Sequence, residues 1–122
     1  MNPEQVVAEA YPMLDDILGR IGLHETGSPI RFKDILGPFD RWIEEQVVSQ
    51  DDYAFMVSLV GAFICEFLIH QAGGARRIVG GKIMLNMPVA AGVLREFDPY
   101  QLAIGVVQRR AKLSTFLETL VS

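Results

Sequence analysis

The chain has 122 residues, half of them hydrophobic and only 21% charged, which is enough apolar material for a core and too little charge for disorder. Its net charge of −4 argues against bulk attraction to nucleic acid, and one cysteine, Cys65, excludes an intramolecular disulfide or a cysteine zinc cluster. Length and composition point to one domain, and the mean hydropathy of +0.25 points to a greasy core or an apolar face that meets a partner.

The N-terminal MNPEQVVAEA lacks the basic and apolar runs of a signal peptide, so a cytoplasmic protein is expected. Asn2, Pro3 and Gln5 read as cap, first helical residue and capping-box partner. Val6, Val7, Ala10, Leu14, Ile17, Leu18 and Ile21 then form one stripe at helical spacing, with Pro12 inside it and Gly22 as its stop. Residues 24–29 are loop by composition, and Ile30–Leu36 reads as either a helical turn or an extended lead-in. Gly37-Pro38 punctuates that stretch. Pro38 is expected to start a second helix, burying Phe39, Trp42, Ile43 and Val47 and turning Asp40, Arg41, Glu44 and Glu45 to water.

Tyr53–Ile69 is apolar on nearly every side, with Ser49–Asp52 supplying cap residues before it. At 17 residues, and with Glu66 and Ser58 inside it, this run suits a buried core helix better than a membrane span. Ala54, Ser58, Gly61, Ala62 and Cys65 make a strip of small residues that lets another element approach closely. Gly73 or Gly74 ends the helix. Ala75–Val79 and Lys82–Met87 around Gly80-Gly81 then read as a hairpin closed by Pro88, with Ile83, Leu85 and Met87 on one face. The VAAGVLREF that follows suits an extended path or a loose turn. Asp98-Pro99 starts a helix to about Lys112, and a last short helix begins near Ser114 or Thr115 with Thr115 and Glu118 as its capping box. The reading is α+β: a predominantly helical single domain whose central apolar helix packs against a small antiparallel hairpin or sheet.

Four residues are candidates for a site. Glu66 and His70 share a helix face at i, i+4, and Arg76 and Arg77 follow shortly after a turn. Their chemistry suits a ligand pocket or part of a metal site, but a metal would need His24, Asp98 or Glu96 to converge from elsewhere. A structural reading is favoured, in which a folded-back arginine pairs with the lone acid of an apolar helix. Arg76, Arg77 and Lys82, and separately Arg109, Arg110 and Lys112, form basic clusters without the interleaved aromatics of a nucleic-acid surface. The glycine pairs lack the strand-to-helix setting of a nucleotide loop, and Ser58, Ser114 and Thr115 lack a nucleophile-elbow motif.

The run Gly61-Ala62-Phe63-Ile64-Cys65-Glu66, then Gly73-Gly74, a hairpin and Asp98-Pro99-Tyr100, resembles a class of small uncharacterised bacterial α+β domains. Those carry a Gly-Ala-(Tyr/Phe)-x-x-Glu helix, a Gly-Gly turn followed by tryptophan, and paired short strands. Here Cys65 replaces a glycine, and no tryptophan follows Gly74. The resemblance implies the fold and a lineage of unassigned or non-enzymatic proteins, some of them immunity or accessory partners, and it carries no catalytic residue across. The expectation is therefore a protein that binds a protein partner or itself, with no cofactor, no nucleic acid and no membrane. A small-ligand protein or enzyme using a pocket near Glu66, His70 and Arg76 or Arg77 is the alternative.

Overall fold

A computed structural model of the chain describes residues 2–90 and 92–121. Helix α1 (Pro3–Arg20) starts as expected: Asn2 accepts the Gln5 N–H while the Gln5 side chain accepts the Asn2 N–H. It runs through Pro12 and closes in a Schellman turn, with Gly22 at φ +80° and the Leu23 N–H reaching the Leu18 carbonyl. Its inward stripe is Ala10, Leu14 and Leu18.

Helix α2 (Phe32–Glu45) corrects the reading of Gly37-Pro38 as a start, because it begins six residues earlier and passes straight through Pro38. A proline inside a helix costs about 3 kcal/mol. Burial of Phe32, Ile35, Leu36, Phe39 and Ile43 on one continuous face, at about 1.5–3 kcal/mol each, outweighs it. One outward and one inward assignment also change. Asp40 is buried, and Val47 lies beyond the helix end and is 96% exposed. Phe39 plugs the core, while the partly buried Trp42 stacks on it at 5.9 Å.

Helix α3 (Tyr53–Ala72) is the centre of the fold, and every residue from Val60 to Leu68 is buried. By length and composition it is the one helix among the described residues apolar enough to cross a membrane. Its surfaces are instead covered by protein on several sides, as the core-helix reading requires. Phe63 and Phe67 meet Phe32 and Phe39 of α2 in an aromatic cluster with centroids 4.5–6.4 Å apart. Gly73, at φ +73°, ends α3 in the left-handed conformation.

Strands β1 (Ala75–Val79) and β2 (Lys82–Ala90) form the expected hairpin, with Val79 opposite Lys82 and both turn glycines at positive φ. Pro88 does not close the second strand. β2 continues past it and pairs with a third strand, β3 (Val93–Phe97), in an antiparallel sheet ordered β1-β2-β3. Pro88 lies beyond the end of β1, which starts opposite Asn86, and beside a register shift between Pro88 and Ala90. A strand tolerates a missing donor at such a place. Ile83, Leu85 and Met87 point inward as their alternation requires.

Helix α4 (Pro99–Val107) is capped by Asp98, whose carboxylate accepts the N–H groups of Tyr100 and Gln101, and it ends before the expected Lys112. Helix α5 (Leu113–Val121) follows. Its N-terminus is not served by a Thr115–Glu118 box. The buried Asp40 of α2 accepts from the Ser114 hydroxyl at 2.6 Å and from its N–H at 3.3 Å. The α+β class is thus the observed one, with five helices and a three-stranded antiparallel sheet among the described residues.

Candidate functional site

Three of the four candidate residues come together. Glu66 lies in the last third of α3, with its side chain 3% exposed. Arg76, on the inward face of β1, donates from Nη1 to Glu66 Oε1. His70, one turn along α3, places Nε2 3.2 Å from Glu66 Oε2. The tight turn through Gly73 and Gly74 folds β1 back on the helix, which is why residues 66 and 76 meet. His70 is stacked on Phe32 at 5.3 Å and lies 5.8 Å from Tyr11, so its ring is packed on one side although about half the side chain is exposed. Arg77 points to the opposite face of the sheet, where Nη1 lies 3.6 Å from Glu96 Oε2, and is separate from the cluster.

Burial governs the neighbouring groups. It pushes the Cys65 thiol up to about 12, an effect that the adjacent Arg76 opposes. It also pushes the Tyr100 phenol up to about 12, with Cys65 adding to the effect. Near neutral pH both groups are protonated, so neither is an activated nucleophile. Both Glu66 oxygens face a cationic or donor partner, which leaves a poor general base. Among the described residues, four surface cavities of 220–450 Å³ are lined by side chains other than Glu66, His70, Arg76 and Arg77. The cluster fastens helix to sheet.

The residues that would have completed a metal site have other partners. His24 Nε2 lies 2.6 Å from Asp15, Asp98 caps α4, and Glu96 faces Arg77. The basic clusters are likewise engaged in part. Arg109, at φ +62°, donates to the carbonyls of Ile43, Glu44 and Gln46 and so closes the C-terminal end of α2. Neither this contact nor the Asp40–Ser114 cap was signalled by spacing, since each joins residues more than 60 apart.

Two surface features stand apart from the cluster. One is the far end of the β2–β3 hairpin, where Val93 and Leu94 are 53% and 66% exposed on an edge strand, opposite the exposed Pro88. The other is a cavity of about 450 Å³ between α1, α3, α4 and the start of β2, with Tyr100 on its wall. Comparison with protein-family models, with curated proteins and with solved structures finds no match.

Proposed function

We propose that this is a small cytoplasmic protein-binding module of accessory, regulatory or immunity type, working by contact and not by catalysis. The observation that carries the reading is the adjacent exposed pair Val93 and Leu94 on β3. An edge strand presents unpaired backbone donors and acceptors, and aliphatic side chains left on it favour a further strand. β3 carries two charges, Arg95 and Glu96; Glu96 is engaged by Arg77, whereas Arg95 has no ion-pair partner among the described residues. Antiparallel pairing of β3 with a second copy over its whole length would set Arg95 directly opposite Arg95, which is unfavourable. The favoured occupant is an extended segment of a different protein with an acid opposite Arg95. The free, buried Cys65 fits a reducing compartment.

A photoreactive amino acid at position 94 in the native host tests this. A discrete adduct is expected there, weakened by Arg95→Glu and absent when the same group stands at the exposed Glu118 of α5. Equal labelling from both positions, or none at 94, would overturn the reading.

A further inference from the structure

The 450 Å³ cavity has a size typical of metabolite sites, about 300–1,000 Å³. It adjoins a second cavity of about 270 Å³, and the two share Val6, Ser58 and Tyr100 as walls. The Tyr100 ring packs closely against α3 at Gly61, where a Cβ would overlap the ring. Val6, Ile83 and Ile104 give the larger cavity apolar sides, and Ala10, Met13 and Ala62 do the same for the smaller.

Charge is arranged along this double cavity. Lys82 stands on the wall of the larger part, exposed and without an ion-pair partner among the described residues. Asp98, which also lines the larger part, has Oδ1 committed to two N–H groups of α4. Glu9 lines only the smaller part. The larger part thus offers the unpaired cation Lys82, with Asp98 beside it engaged in capping, and the smaller part offers the acid Glu9, with apolar side chains lining both.

We propose that this groove binds a small amphipathic carboxylate. The head group meets Lys82, with the Ser58 hydroxyl and Gln101 amide as further donors, and the hydrocarbon tail runs past Val6 toward Ala10 and Met13. Glu9 disfavours the reverse orientation by like-charge repulsion. The site is separate from β3 and stands whether or not that strand docks a partner.

Titrating ¹⁵N-labelled protein with octanoate, octanol and octylammonium tests the assignment. Octanoate is expected to give saturable amide shifts at Val6, Ser58, Ile83 and Gln101, with binding about fivefold tighter than the other two probes, the scale of one exposed ion pair. Lys82→Glu, at the exposed start of β2, is expected to abolish that preference. Ser58→Leu, which fills the shared wall from an exposed position, is expected to weaken octanoate binding about tenfold, since the tail loses its channel. Equal binding of all three probes, an unchanged preference in Lys82→Glu, or shifts confined to β3 would overturn the proposal.

Discussion

Arg76→Met removes one of the two partners of a carboxylate that is almost wholly buried. Breaking a buried ion pair from one side costs about 3–5 kcal/mol, because the remaining charge stays desolvated. Two features lower that figure here. The Arg76 side chain is 26% exposed, so some of its attraction is already screened, and His70 stays 3.2 Å from the other Glu66 oxygen. A loss of about 2–3 kcal/mol is expected, a large part of the roughly 5–15 kcal/mol that holds a domain folded. Urea denaturation followed by circular dichroism would show it as a midpoint shift of roughly 1–2 M. Glu66→Leu combined with Arg76→Met should recover most of the loss, since no charge is then left to solvate. If the single variant lies within about 0.5 kcal/mol of the parent, or the double variant is no better than the single, Glu66 is not sealed as described.

Gly61→Ala should destabilise by about 1–3 kcal/mol through overlap with Tyr100, as thermal unfolding would report. In a Tyr100→Ala background the sign should reverse, since alanine is favoured over glycine in a helix by about 0.8–1 kcal/mol. Asp15 gives a pH signature. The hydrogen bond from His24, with that of the Gly27 N–H, holds its carboxyl below the usual 3.8. The stability this carboxylate contributes is therefore present above 3.8 and is lost as pH falls through the lower folded value. Melting temperatures measured downward from about pH 5 should fall less steeply in Asp15→Asn than in the parent, and identical acid limbs would refute the assignment. Cys65, buried and pushed up to about 12, should resist iodoacetamide at mildly alkaline pH in the native protein and react once urea unfolds it. Equal rates in both states would contradict its placement.

What was legible in the chain was local. The α1 capping box, the Asp98-Pro99 start and the Gly80-Gly81 turn each follow from a few adjacent residues, and each is found in place. The Glu66–Arg76 pair was legible for a different reason: a lone acid on an apolar helix must find a cation, and one followed a short turn. Proline misled twice. Pro38 and Pro88 look like boundaries in the sequence, yet the apolar face from Phe32 to Ile43 runs through one, and the other sits where a register shift and a missing neighbour remove its cost. β3 is ambiguous in the sequence, because Gly92 interrupts the stretch and, as the structure shows, its side chains are mostly exposed and leave no inward alternation. The groove could not be read at all, since Val6, Ser58, Ile83 and Tyr100 come from four separate elements and only the fold makes them neighbours.

Docking of a partner on the β3 edge, as proposed, has a direct backbone signature. Hydrogen exchange of the Val93–Phe97 amides, measured with and without the partner recovered by the position-94 crosslink, tests it most directly. Slowed exchange concentrated in β3 is expected, as new backbone hydrogen bonds form along that edge. Unchanged exchange in β3 with protection elsewhere would contradict it.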